Sequence, residues 1–359
     1  MSKQFVPIPI KDIRKTTSDC SVITLDVPAD KKADFAYKQG QYLTFKAQIN
    51  GEDLRRSYSL CSSPLDDQWQ IAVKQIEDGR FSTYANEQLR KGDLLEVLPP
   101  EGKFFLDIDP QQERHYVAFA AGSGITPILS IIKTHLEQEP ESTFELYYVN
   151  KTVTSIILKE EIEAVKNEFL GRFKLNYFLT REDRGIPLFS GRIDADKLNI
   201  ICSQLMDPTD KDAFFICGPN DMIFLIRDHL KGIGVDEQKI HFELFNTNGL
   251  KPKKKKKPTV STNGKQHLTE VLIKEGGKTI RLDIPTGSNN ILDAALEQNA
   301  DLPFACKGGV CCTCMAKLVE GKVDMEFTYG LEPDEQEAGY ILTCQAIPLT
   351  EKVVVDFDQ

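Results

Sequence analysis

HYVAFAAGSGITPILSIIKTHLEQ, residues 115–138, is the stretch on which the architecture turns. An unbroken apolar run suited to a buried strand leads into two glycines around a serine. Apolar residues at helical spacing then follow, as in Ile128, Leu129, Ile132 and Leu136. Strand, glycine turn and helix in that order start a parallel sheet covered on both faces. In the turn, Gly122, Ser123, Gly124, Thr126 and Pro127 suit the approach of a pyrophosphate. Glycine lets the backbone come close, and a helix N-terminus offers free N–H groups and positive potential. Pro127 falls in the first helical turn, where its missing N–H costs nothing.

The same rhythm continues toward the C-terminus. FELYYVN (144–150) reads as a strand, Ile156–Phe169 as an amphipathic helix, and FKLNYFLT (173–180) and AFFICG (213–218) as strands. The helix MIFLIRDHL and the strand KIHFELF (239–245) complete the segment. Cys217, Gly218 and Pro219 end a strand and precede a helix, which puts them on the same C-terminal sheet edge as the glycine turn. Ligands of open α/β sheets bind at that edge. The acidic residue that would bond an NAD ribose is replaced by Asn150-Lys151, whereas the next strand ends in Thr180-Arg181, with Arg184 and Arg192 nearby. A guanidinium there suits a 2′-phosphate, so NADPH is expected in preference to NADH.

Toward the N-terminus the pattern is β-rich: SVITLDV (21–27), QYLTFKAQI (41–49), WQIAVKQI (69–76) and DLLEVLP (93–99), separated by turns such as Asn50-Gly51. Short strands at this spacing predict an antiparallel barrel or sandwich. On the far side of the α/β segment, KPKKKKKPTVSTNGKQ (251–266) has like charges that repel and prolines that end regular structure, as in an extended linker. HLTEVLIK and KTIRLDI then flank Gly276-Gly277 as a hairpin, a short helix follows near 291–298, and more strands close a small α+β domain. The expected boundaries are 1–110, 111–248, a linker at 249–266, and 267–359.

That last segment carries CKGGVCCTC. Cys306, Cys311 and Cys314 are spaced C-x4-C-x2-C, and Cys344 lies downstream in YILTCQA. This is the plant-type spacing for a [2Fe–2S] cluster, whose irons need soft thiolate donors. A zinc site would call for a second close pair or histidines, and none is here. Cys312 is read as a packed side chain. Nine cysteines is an odd number, and their crowding fits metal chemistry in a reducing compartment, hence the cytoplasm. The 359 residues carry a formal charge of −10, with 41% hydrophobic and 27% charged side chains. Such a balance is globular, argues against nucleic-acid binding, and contains no membrane-spanning run. Residues 267–359 hold 7 basic and 16 acidic side chains, a charge that suits a basic docking partner.

A nicotinamide gives up two electrons together and a [2Fe–2S] cluster takes one, so a flavin is required between them. RRSYSLCSSP supplies Arg56 for a phosphate, Tyr58 for the ring face and Ser59 for a ring nitrogen. In GRFSTYANEQL, Gly79, Phe81, Ser82 and Thr83 open a helix whose N–H groups can hold a second phosphate.

RRSYS, GRFS, PPEGKF, GSGITP and CGP stand in the order of the ferredoxin–NADP⁺ reductase superfamily, and CKGGVCCTC…C resembles a fused plant-type ferredoxin. Within the superfamily the chain is most similar to the reductase components of multicomponent phenylacetyl-CoA epoxidases. Reductases of aromatic-ring dioxygenases are the alternative. The resemblance implies a multidomain fold of antiparallel FAD barrel, α/β nucleotide domain and β-grasp ferredoxin domain. It implies transfer from NADPH through FAD and the cluster to a separate oxygenase component. It further implies that Tyr58, Ser59 and Cys217 stand nearest the chemistry, that Gly79 and Ser82 cradle the FAD pyrophosphate, and that Gly122 to Pro127 bind the NADPH pyrophosphate. Thr180 and Arg181 would take the 2′-phosphate, and Cys306, Cys311, Cys314 and Cys344 the cluster. Many relatives end the reductase module in an aromatic that stacks on the flavin. Here HFELF runs on, leaving Glu243 and Phe245 as alternatives. A reading of another class, a redox-sensing or nucleic-acid-binding protein using the lysine run, requires vestigial cofactor sites.

Overall fold

A computed structural model describes residues 4–247 and 268–359. The lysine-rich stretch expected as a linker lies outside the described residues. Two compact units result, one spanning Val6–Leu244 and the other holding the C-terminal sheet.

The first unit opens with six antiparallel strands: β1 (Val6–Thr17), β2 (Cys20–Leu25), β3 (Tyr42–Ile49), β4 (Glu52–Ser59), β5 (Trp69–Lys74) and β6 (Leu94–Val97). Their order is β4-β3-β6-β1-β2-β5, and a bridge between Leu60 and Ile71 joins the outer two, closing the barrel. Asn50 and Gly51 link β3 to β4 with φ of 54° and 80°, the pair of left-handed conformations that a type I′ hairpin needs. Phe35, Leu43, Phe45, Trp69 and Ile71 fill the interior, and helix α1 (Arg80–Glu87) adds Phe81 and Ala85 to it.

The parallel sheet follows: β7 (His115–Ala121), β8 (Thr143–Asn150), β9 (Phe173–Leu179), β10 (Ala213–Cys217) and β11 (Ile240–Glu243), in the order β11-β10-β7-β8-β9. Its helices are α2 (Ile125–Gln138), α3 (Lys159–Glu168), α4 (Ala195–Ile200) and α5 (Asn220–Gly232). Every residue of β10 is buried, as expected of a strand covered on both faces. The helix anticipated from Ile156 starts at Lys159. Buried Leu158 takes a left-handed φ of 56°, which interrupts helical geometry, and its N–H goes to Thr16 Oγ1 in β1 at 2.9 Å.

Polar contacts join the barrel to this sheet. Ser130 Oγ in α2 donates to the Ser62 carbonyl at 2.6 Å, Ser63 and Thr134 share a hydrogen bond of 2.9 Å, and Lys133 pairs with Asp66. The loop trailing β4 is thus fastened to α2, which fixes the barrel strand against that helix. At the opposite, N-terminal edge of the sheet, buried Glu139 accepts from Tyr116 Oη at 2.8 Å and Ser142 Oγ at 2.9 Å. Burial would raise its pKa, but the His135 ring nitrogen 3.3 Å away and hydrogen bonds from the Asp109 amide and Tyr116 outweigh that and bring it to about 2.

The second unit contains β12 (Leu268–Glu275), β13 (Lys278–Pro285), α6 (Ile291–Glu297), β14 (Met315–Glu320), β15 (Val323–Met325), α7 (Pro333–Glu337), β16 (Tyr340–Leu342), β17 (Ala346–Pro348) and β18 (Lys352–Asp356). The main sheet runs β13-β12-β18-β14-β16, with β12 and β18 parallel and the other pairs antiparallel. Ile291, Leu292 and Ala295 of α6 pack on Val271, Ile273, Val353 and Val355, giving the β-grasp arrangement of an α+β domain.

Candidate functional site

Two turns meet at the C-terminal edge of the parallel sheet. Gly122 leaves β7 with φ of 53°, and the chain enters α2 at Ile125. Gly124 has an ordinary helical φ of −62°, so its reason for being glycine is space. A Cβ there would stand 2.2 Å from the Cys217 carbonyl oxygen and 2.9 Å from the Gly218 nitrogen. Gly218 is equally confined, with a Cβ falling 3.0 Å from that of Ala121. The glycine turn and the Cys217–Pro219 turn are therefore pressed backbone to backbone. Thr126 Oγ1 donates back to the Ser123 carbonyl at 3.0 Å, so this hydroxyl shapes the turn, and the Ile125 amide that opens α2 is taken by the Gly122 and Ser123 carbonyls. Pro127 is buried in the opening turn of the helix.

Beside it, the amides of Thr180 and Arg181 bond the carbonyls of Asn150 (2.8 Å) and Lys151 (2.9 Å), carrying the β9 chain past the end of β8. Arg181, Arg184 and Arg192 are exposed. The acids between them are engaged by backbone donors: Glu182 takes the Val153 amide and Asp183 that of Gly185.

The barrel presents Arg56 exposed, Tyr58 half-buried and Ser59 buried on β4. The Tyr58 ring is wedged against Phe81 (centroids 5.6 Å apart) and Phe45 (6.1 Å), and burial pushes its phenol above the usual range. Gly79 precedes α1, and a Cβ there would collide with Ser82 Oγ and Ile76 Cγ1, each at 2.3 Å. Ser82 Oγ donates to the Gly79 carbonyl at 2.9 Å and accepts the Ile76 amide at 3.2 Å, so the hydroxyl builds this turn. The Thr83 amide makes the first helical bond, to Gly79, at 2.8 Å. Helix geometry leaves the amides of Arg80, Phe81 and Ser82 to point out of the end.

At these turns barrel and sheet meet in a further contact. Ser59 Oγ donates to Glu243 Oε2 at 3.2 Å, across 184 residues of sequence. Glu243 pairs in register with Cys217 on the neighbouring strand. Burial pushes the Glu243 carboxyl up to about 8 against the opposing effect of the Ser59 bond, and burial likewise raises the Cys217 thiol. Of the two residues left open by the sequence, Glu243 is the one that reaches Ser59. Phe245 is exposed and falls in the other compact unit. This pairing depends on β11 lying next to β10, for which the sequence carries no local signal.

In the C-terminal unit, Cys306, Cys311 and Cys314 occupy the loop before β14, and Cys344 lies between β16 and β17. All nine cysteines of the chain are unbridged. Cys306 Sγ lies 3.1 Å from Cys311 Sγ and contacts Cys344, which in turn contacts Cys314. No group of three or more His, Cys, Asp or Glu among the described residues stands at metal-coordination spacing; these four thiols touch directly. Hydrogen bonds from Cys311 and Cys344 hold the Cys306 thiol below the usual range, and the Gly308 amide also points at its sulfur at 3.3 Å. Gly309 has φ of 72°, and a Cβ on Gly330 would stand 2.4 Å from the Cys311 carbonyl oxygen. Gly330 has no place in the cysteine spacing and escapes sequence reading. Four converging thiols, two of them acid-shifted and one of those met by an amide donor, fit the soft, electron-rich donor set of a [2Fe–2S] cluster. The Gly79 cradle and the adjoining Gly124–Cys217 turns likewise fit phosphate-bearing cofactors.

Comparisons with known proteins agree along the chain. Residues 7–106 match the oxidoreductase FAD-binding domain family, 119–228 the oxidoreductase NAD-binding domain family, and 273–349 the 2Fe-2S iron-sulfur cluster binding domain family. The chain is 42% identical to a subunit of the 1,2-phenylacetyl-CoA epoxidase of Escherichia coli, over 99% of its own length and 98% of that protein. It is 32% identical to the ferredoxin reductase component of 3-ketosteroid-9-alpha-monooxygenase from Rhodococcus rhodochrous, covering 98% and 97% of the two chains. Phthalate dioxygenase reductase shares the fold, with a TM-score of 0.59 and 23% identity over 98% of each chain. The chain therefore belongs to the family of oxygenase reductase components, NAD(P)H-dependent electron-transfer enzymes that join FAD-, NAD- and [2Fe–2S]-binding domains in one polypeptide.

Proposed function

We propose that the chain draws on NADPH in preference to NADH and supplies a separate oxygenase component, the phenylacetyl-CoA epoxidase, in the cytoplasm. The observation that carries the internal route is the Ser59–Glu243 contact, which brings the flavin strand to the edge where the glycine turn and Cys217 lie. The 42% likeness to a phenylacetyl-CoA epoxidase polypeptide, over nearly the full length of both chains, supports the choice of oxygenase. The exposed arginines beyond β9 support NADPH, and nine unbridged thiols support a reducing compartment. No described helix is long and apolar enough to cross a membrane.

In this reading Arg56, Tyr58 and Ser59 hold the flavin ring and its phosphate side, and the amides after Gly79, through Phe81 and Ser82, hold its pyrophosphate. Gly122, Ser123, Gly124, Thr126 and Pro127 form the NADPH pyrophosphate turn, with Thr180 and Arg181 at the 2′-phosphate and Cys217, Gly218 and Pro219 beside the nicotinamide. Cys306, Cys311, Cys314 and Cys344 ligate the cluster. When bound, the flavin accepts an electron pair from the nicotinamide and releases it singly to the cluster. Tyr58, braced by Phe81 and Phe45, gives a fixed ring face. Glu243 keeps a proton at neutral pH, so the Ser59–Glu243 pair stores one next to the reacting edge. Cys217, a buried neutral thiol, walls that edge without adding charge.

The test is anaerobic mixing of the purified holoenzyme with NADPH or NADH, followed by reconstitution with phenylacetyl-CoA epoxidase or with an aromatic-ring dioxygenase. The expected result is flavin and cluster bleaching, faster with NADPH, and product only with the epoxidase. A colourless preparation would overturn the cofactor assignment. Turnover confined to the dioxygenase would overturn the partner.

A further inference from the structure

The proposed nucleotide turn has a buried support that no motif marks. Tyr148, on β8, is fully buried, and its hydroxyl lies 2.9 Å from the Gly122 carbonyl oxygen and 3.2 Å from that of Ile157. The Gly122 oxygen also accepts the Ile125 amide, so both of its lone pairs are engaged. Ile157 precedes Leu158, whose amide is held by Thr16 of the barrel. The phenol's single proton thus lies between the glycine turn, its nearer acceptor, and a segment anchored on the neighbouring barrel.

The consequence follows from peptide geometry. The Gly122 carbonyl and the Ser123 N–H belong to one trans peptide and point in opposite directions. Drawing the carbonyl onto a buried hydroxyl beneath the turn directs the Ser123 N–H away from the sheet interior. Gly122, at φ of 53° and with open space where a Cβ would be, offers little resistance to rotation of that peptide. The hydroxyl adds a second restraint to the one the Ile125 amide supplies.

We infer that Tyr148 is a positioning residue for dinucleotide binding, fixing the Gly122–Ser123 peptide so that its N–H faces the pyrophosphate. The inference rests on the reading of residues 122–127 as the NAD(P)H turn. Asn150 lies two residues on, on the same face of β8, with its side chain beside the Tyr148 hydroxyl and 6% exposed. Its amide nitrogen finds no acceptor among the described residues.

The experiment compares steady-state kinetics of the holoenzyme with NADH and with NADPH, using cytochrome c as acceptor. Tyr148→Phe is expected to raise KM about 5–10-fold for both nucleotides, the loss of one hydrogen bond, with kcat within twofold. Equal effects are expected because the pyrophosphate is common to both. Tyr148→Met, which fills similar space without a hydroxyl, should raise KM for both nucleotides likewise and serves if the phenylalanine variant fails to fold. Tyr116→Phe removes a buried hydroxyl bond at the opposite edge of the same sheet and should lower thermal stability while leaving KM unchanged. Ser123→Trp obstructs the turn whatever Tyr148 does. If Ser123→Trp raises KM strongly and Tyr148→Phe leaves it within twofold, the positioning role falls. An equal KM rise in Tyr116→Phe reduces the effect to stability and also overturns it. If Ser123→Trp itself leaves KM unchanged, the assignment of the turn to NAD(P)H fails instead.

Discussion

Gly124→Ala adds one methyl at the tightest place in the proposed nucleotide site. The new Cβ would lie 2.2 Å from the Cys217 carbonyl oxygen, 2.5 Å from its carbon and 2.9 Å from the Gly218 nitrogen. All three are backbone atoms and cannot turn aside as a side chain would. An ordinary carbon–oxygen contact requires the two turns to part by roughly 1 Å, and overpacking of this kind costs about 1–3 kcal/mol. The backbone conformation at Gly124 is itself acceptable to alanine, so the whole penalty arises from collision. If it falls on the site, nucleotide affinity drops about 5- to 150-fold, and a displacement of that size also disturbs hydride alignment. Stopped-flow flavin reduction at varied NADPH, with the flavin and cluster spectra and a melting curve, separates these effects. The spectra should be unchanged, because the residues proposed to hold flavin and cluster lie elsewhere, while the concentration for half-maximal reduction rises. An alanine variant with that concentration within twofold of wild type and an unchanged melting temperature would refute the argument.

Glu243→Gln tests the raised carboxyl. Its folded-state pKa of about 8 lies above the ordinary 4.5, so the fold holds this proton more tightly than the unfolded chain does. Stability from it is present below about pH 4.5 and lost as pH rises through 8; denaturant unfolding of the holoenzyme at pH 5 and 8.5 should show a fall in wild type and a smaller one in the glutamine variant. Arg181→Gln should raise KM for NADPH about tenfold and that for NADH less than twofold, the difference reporting a charge-assisted bond to the 2′-phosphate. Gly330→Ala drives a Cβ to 2.4 Å from the Cys311 carbonyl oxygen, and cluster absorbance and iron content should fall while NADPH still bleaches the flavin.

What the sequence makes legible is whatever the chemistry writes into neighbouring residues. The GSGITP turn, the CGP turn and the C-x4-C-x2-C run are local, and strand and helix alternation announces the parallel sheet. Long-range closure is not legible. Barrel closure rests on the Leu60–Ile71 bridge, and the Ser59–Glu243 contact on the order of two edge strands, neither encoded in any short window. Sequence pattern starts α3 too early because apolar Ile156 and Ile157 suit a helical face, whereas the left-handed Leu158 is imposed by burial and by Thr16. Ser82 is recognisable as a site residue, but the use of its hydroxyl to knit its own turn is visible only in three dimensions.

The parallel pairing of β12 with β18 has a consequence for biogenesis. Val271 lies opposite Val353, so the small sheet cannot be completed until a strand encoded beyond every cluster cysteine has emerged. Cys306, Cys311 and Cys314 are therefore made well ahead of the scaffold that gathers them, and Cys344 only just before it. Until β18 pairs, those sulfurs are open to oxidants and to wrong partners.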